Sequence, residues 1–194
     1  MLRYLLPLCV ICALLTSCNK SAEQQAVQVE AAKTPKPALP AGSTEFKSPN
    51  GSFSIYMPGK PEESTQTVPE TDGVSGKMHM YTVASDKMVF LVEDMLVSKD
   101  VEHSGSTDEM LKGVETGFSG SSGTKVVHSN NEQILGYPGR RMEFSNTQMT
   151  FKGFSLLAKK HNFIVVAGGL NANIDDAKAK TFFDSFRVEN DMAE

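Results

Sequence analysis

The side chains able to do chemistry in this chain are few and widely spaced. Glu93 and Asp94 interrupt its most apolar stretch, Met88-Val89-Phe90-Leu91-Val92. Neighbours on a strand point to opposite faces, so one carboxyl turns toward a covered surface, where a raised pKa would make it a candidate acid or base. The commoner use of such a pair is the polar end of a core strand. The histidines are His79, His103, His128 and His161, and none stands two or four residues from another, so the spacing of a metal-binding pair is missing. Met78-His79-Met80 sets two thioethers on one strand face, the soft donor type that suits Cu(I). In a chain with 10 methionines, core filling is the expected use.

Hydrolysis would need a nucleophile held against a base. Gly117-Phe118-Ser119-Gly120-Ser121 departs from the nucleophile-elbow pattern at its last position, where Ser121 replaces glycine. Gly120-Ser121-Ser122-Gly123-Thr124-Lys125 lacks the glycine-lysine step of a phosphate-binding loop. Both segments read as one flexible loop after a helix. The expectation is a chain that is not an enzyme, with no cofactor, no metal site and no catalytic residues. The nearest thing to a binding surface is a set of cations, Arg140, Arg141, Lys152, Lys159 and Lys160, on three consecutive predicted strands. They form a candidate interaction patch, although Glu143 shares a face with Arg141 and competes for it.

The elements that must position these residues read as α+β. Phe46 opens a short strand, Asn50-Gly51 turns it, and Phe53, Ile55 and Met57 give the next strand an apolar face. Pro58-Gly59 and Pro61 stop that strand. Extended segments follow at 63–68, 76–84 and 88–97, and the uninterrupted apolar run from Met88 predicts cover on both faces near a sheet centre. Thr107-Asp108-Glu109 starts a helix bearing Met110, Leu111, Val114 and Phe118, which the stretch Gly117–Gly123 ends. Four strands are predicted at 124–135, 139–146, 150–159 and 163–168. A last helix, with Asn173 as N-cap, carries Ile174, Ala177, Phe182 and Phe186. Short connections favour antiparallel neighbours.

Ahead of this domain, Arg3, the apolar run Leu5–Leu15 and the small residues before Cys18 have the form of a secretory signal too short to span a bilayer. Cys9 and Cys12 lie inside that signal, which leaves Cys18 as the sole thiol of the mature chain and excludes a disulfide framework. Residues 19–43 have no aromatic residue and run into Thr34-Pro35-Lys36-Pro37 and Leu39-Pro40, the composition of a disordered tether. The formal net charge of -4 speaks against nucleic acid as a partner.

Two resemblances follow from these residues. Leu15-Thr16-Ser17-Cys18 resembles the lipobox of bacterial lipoproteins, which implies cleavage before Cys18, acylation of its sulfur and anchorage of the chain to a membrane. Asn19 after the cysteine points by analogy to the outer membrane, with the domain in the periplasm. Phe53-Ser54-Ile55-Tyr56-Met57-Pro58-Gly59-Lys60-Pro61, Gly136-Tyr137-Pro138-Gly139 and Phe182-Phe183-Asp184-Ser185-Phe186 resemble the signatures of PsbP/Mog-like domains. That likeness implies an antiparallel sheet sandwiched by helices and carries over no functional residue. The expected organisation is a signal peptide over 1–17, a lipidated tether over 18–43 and a PsbP/Mog-like domain over 44–190. The expected role is a non-catalytic binding or assembly module with a protein partner in the cell envelope. The alternatives are a carrier of a small apolar ligand between sheet and helix, and a hydrolase with a dispersed site.

Overall fold

A computed structural model of the chain describes residues 44–71, 74–85, 87–96, 107–171 and 174–189. Cys18, the signal and tether segments, His103 and Asn173 lie outside the described residues. Two antiparallel sheets organise the domain. The smaller has the order β1-β2-β10, from β1 (Thr44–Lys47), β2 (Phe53–Met57) and β10 (Arg187–Val188). The larger contains β3 (Glu62–Thr71), β4 (Val74–Ala84), β5 (Met88–Leu96), β6 (Lys125–Ile134), β7 (Tyr137–Ser145), β8 (Met149–Ala158) and β9 (His161–Leu170). Its order is β3-β4-β5-β9-β8-β7-β6. Helix α1 (Thr107–Ser122) follows β5, and α2 (Asp176–Ser185) precedes β10. The fold is α+β, as the order of elements predicts.

The middle strand is β9 and not β5. His161-Asn162-Phe163-Ile164-Val165-Val166-Ala167-Gly168-Gly169 is buried at every position, because both faces of that strand are covered. By contrast, β5 alternates: Met88, Phe90, Val92 and Asp94 are buried, while Val89, Leu91, Glu93 and Met95 are half-exposed. Its apolar run is therefore covered fully on one side only. Gly168 is required by close approach, since a Cβ there would collide with the Thr150 carbonyl and the Phe151 ring.

Between the large sheet and the layer of β2 and α2 lies the core. Phe53, Ile55 and Met57 of β2 meet Tyr81, Phe90, Val92, Phe154, Leu156, Phe163 and Val165 of the large sheet, with Phe182 and Phe186 closing the end. Phe53 packs against Tyr81, Phe163 and Phe186 with ring centroids 5.5, 5.9 and 5.7 Å apart. The opposite face of the large sheet receives α1 over β6, β7 and β8. There Phe118 sits 4.7 Å from Phe144 and 5.7 Å from Phe151, and Leu111 is buried.

Two local expectations need correction. The glycine and serine stretch Gly117–Ser122 is the last part of α1, not a loop, and the chain leaves the helix only at Gly123, where φ is +64°. Ser122 turns its hydroxyl back onto the Phe118 carbonyl at 2.7 Å, Ser119 Oγ donates to the Thr124 carbonyl at 2.7 Å, and the Thr124 amide donates to the Ser119 carbonyl at 3.2 Å, an acceptor in the last turn that the helix itself leaves open. In α2 the N-cap is Asp175, whose Oδ1 accepts from the Lys178 amide at 3.0 Å. Ile174 lies before the helix, and Ala179 rather than Ala177 is buried.

Candidate functional site

The candidate cations are divided by the pleat of β7. Arg140 points to the α1 face, where Nε donates to Glu115 Oε2 at 2.6 Å and Nη1 donates to Asn131 Oδ1 at 2.6 Å and to Asp108 Oδ1 at 3.4 Å. Burial pushes the Glu115 carboxyl up, but hydrogen bonds from Ser129 and Arg140 and the charges of Arg140 and Lys112 hold it below its usual range. Arg140 thus belongs to the seam that docks α1. Arg141 turns the other way, its Nε 2.7 Å from Glu132 Oε1 and its guanidinium 5.9 Å above the Phe154 ring. Lys152 is on that same face, opposite Glu143 in register and 3.2 Å from Asp176 Oδ1 of α2. Lys159 and Lys160 form the turn between β8 and β9, seven residues or about 20 Å along the strand from Lys152. The five cations are not one stripe; Arg141 and Lys152 are the two that come together.

These two rim a groove of about 300 Å³ between α2 and strands β6 to β8. Ala179 and Phe183 of α2 form its apolar wall, and His128, Glu143, Lys180 and Asp184 complete the rim. Most of the rim charge is paired: Lys152 with Asp176, Arg141 with Glu132, and Lys180 with Asp184. Such a surface offers alternating donors and acceptors over an apolar floor, which fits a polypeptide better than a phosphate or another concentrated anion. Beyond the groove, β6 ends the large sheet and exposes Val126 and Val127.

A second cluster unites residues far apart in sequence. Asp94, 1% exposed, accepts from Ser52 Oγ at 2.6 Å and Asn50 Nδ2 at 2.9 Å through Oδ2, and its Oδ1 lies 2.6 Å from His161 Nδ1. Burial alone would raise the Asp94 pKa; the hydrogen bonds from His161, Asn50 and Ser52 and the electrostatic pull of His161 outweigh it and lower it. For Glu93, on the other face, burial raises the pKa. Tyr81 is pushed up to about 12 by burial and by the charges of Asp94 and Glu63.

Serine, histidine and aspartate are all present there, but the connectivity is wrong for nucleophilic catalysis. Ser52 donates to the carboxylate, not to the imidazole, so the serine–histidine link of a nucleophilic triad is not made, and Ser52 is fully buried. Chemically, the arrangement pins the Asn50-Gly51-Ser52 turn to the ends of β5 and β9. Strand alternation signals that Asp94 faces inward, but no local pattern reveals a partner 67 residues away. Among the described residues, no three of His, Cys, Asp and Glu gather as a metal-binding group. No described helix is long and apolar enough to cross a membrane.

The architecture is similar to the solution structure of cyanobacterial PsbP (CyanoP) from Synechocystis, with a TM-score of 0.51 over 80% of this chain and 99% of that one. The fold is PsbP-like. At 10% identity the likeness concerns the fold alone. The crystal structure of protein PA94 of unknown function from Pseudomonas aeruginosa covers 71% of this chain at 7% identity, and its TM-score of 0.35 is too low to relate the folds. The sequence matches no known family profile, and no curated protein matches it. The PsbP-like domain has its space between sheet and α2 filled by rings: Phe90 lies 5.2 Å from Phe182, and Phe154 lies 5.8 Å from Phe186. That filling counts against a carrier with a ligand in the core.

Proposed function

We propose that this protein is a non-catalytic, lipid-anchored binding or assembly module of the bacterial cell envelope, and that its protein partner docks in the groove between α2 and β6 to β8. The observation that carries the reading is the groove itself: Phe183 and Ala179 provide an apolar wall, and Arg141, Lys152, Glu143 and Lys180 provide polar contacts of both signs around it. An interface of this kind gains affinity from a buried apolar centre and register from a charged rim. Acylation at Cys18 and a tether over 18–43 would keep the domain, 44–190, at a membrane surface, in keeping with the lipobox-like sequence Leu15-Thr16-Ser17-Cys18. The placement proposed is the outer membrane, facing the periplasm.

Site-specific photocrosslinking in intact cells tests the docking surface. A crosslinking residue in place of Lys180 should capture one discrete partner, and Arg141→Glu together with Lys152→Glu should weaken that capture, more so at low salt. The same residue in place of Lys112, on the exposed side of α1, should capture nothing specific. Equal capture from Lys112, or capture indifferent to the charge reversals, would remove the groove from the proposal. Cys18→Ser should release the chain from the detergent phase; a variant that stays acylated and membrane-bound would remove the anchor.

A further inference from the structure

The methionines expected in the core are on the other side of the sheet. Met78 and Met80 stand two residues apart on β4 and point the same way, and in the antiparallel register with β5 Met78 faces Met95 while Met80 faces Glu93. All three thioethers therefore occupy neighbouring positions on one face, with a carboxyl at the fourth corner. None belongs to the core cluster, all are half-buried, and the main contacts of α1 with the large sheet are on β6 to β8. Cross-strand partners have Cβ atoms about 5 Å apart and diagonal neighbours about 7–8 Å. An unbranched side chain with three rotatable bonds spans either gap, so the three sulfurs can converge on one point. Next to Met95 in the same row is Asn162, 1% exposed, whose Oδ1 has no hydrogen-bond partner among the described residues.

We propose that Met78, Met80 and Met95 form a thioether site for a soft monovalent cation, Cu(I). Thioethers are neutral and polarizable, so they favour Cu(I) over the harder divalent ions that prefer carboxylate and water. His79 takes no part: it points to the other face, with Nδ1 3.1 Å from Thr65 Oγ1. The site holds the ion without redox change, and three neutral donors leave it the single positive charge that the neighbouring Glu93 carboxyl can offset.

Ag(I), an equally soft and redox-inert ion, is the probe. The chain in detergent, any free thiol blocked with N-ethylmaleimide, is labelled at the methionine methyls and titrated. The methyl resonances of Met78, Met80 and Met95 should move together and saturate at one ion per chain, while those of Met57 and Met142 stay in place. Loading should persist from about pH 7 to about pH 5, because a thioether has no proton to lose, whereas a histidine site empties across that range. Met95→Leu and Met78→Leu, close in volume and expected to fold, should each lose stoichiometric loading. No movement of the three methyls at one equivalent overturns the proposal. Movement that survives both leucine variants, or loading that vanishes with imidazole protonation, overturns it equally.

Discussion

Adjacent carboxylates on β5 have opposite fates, because the pleat sends Asp94 into a nest of donors and Glu93 toward methionine side chains. Removing Asp94 leaves Ser52, Asn50 and His161 without their shared acceptor in a buried place. Asp94→Ala should cost about 3–5 kcal/mol at neutral pH, read from denaturant unfolding. The sign with pH follows from its lowered pKa: the contribution is fully present above the unfolded carboxylate range and is lost as pH falls through the lower folded value. The gap between wild type and variant should therefore narrow on acidification, and a gap that widens would contradict the arrangement. Glu93 has the reverse linkage, since a raised folded pKa means that ionisation opposes folding. Glu93→Gln should raise the melting temperature at neutral pH, and the gain should disappear below the unfolded carboxylate pKa. An unchanged or lower melting temperature at neutral pH would show that the Glu93 carboxyl is well solvated.

At the scale of elements, α1 offers a test with two signs. Gly117 and Gly120 have helical surroundings with open space where a Cβ would point, whereas Gly123 has φ at +64°. Alanine at 117 or 120 should stabilise by about 0.5–1 kcal/mol each, and alanine at 123 should destabilise by a similar amount. Thermal melts of the three variants decide it; if the segment were a loop, the first two would show no gain. The sequence hides this helix end because glycine and serine are poor helix formers, and packing of Phe118 on Phe144 and Phe151 overrides their local preference. Strands were legible where apolar positions alternate, as in Phe53-Ser54-Ile55-Tyr56-Met57. Their order was not: that β9 rather than β5 is central depends on pairings 65 to 81 residues apart, which periodicity does not encode. The same blindness grouped Arg140 with Arg141 in one patch, whereas the pleat divides these adjacent residues and only register says which face meets which helix.

For the whole molecule, the decisive property is that one core joins the first described strand to the last. Phe46 and Phe53 near the start both pack against Tyr81, Phe53 stacks on Phe186, and β10 closes onto β2 through Arg187 and Val188 with Ser54 and Phe53. The small sheet thus exists only when both ends of the domain are present, and it covers the aromatic core. Residues 44–190 should fold alone, without lipid, metal or reductant, and melt in a single cooperative step, since a domain of this size can bury about two thirds of its unfolded surface. Circular dichroism and calorimetry of that fragment provide the check. Ending the fragment at Ser185 should do disproportionate harm, because it deletes Phe186 together with β10 and strips one edge from β2. Loss of a ring the size of Phe186 from a core costs about 3–5 kcal/mol, a large share of the stability of an ordinary domain. A truncated fragment as stable as the intact domain would show that the small sheet does not close the core, and a 44–190 fragment that folds only with residues 19–43 restored would make those residues part of the fold.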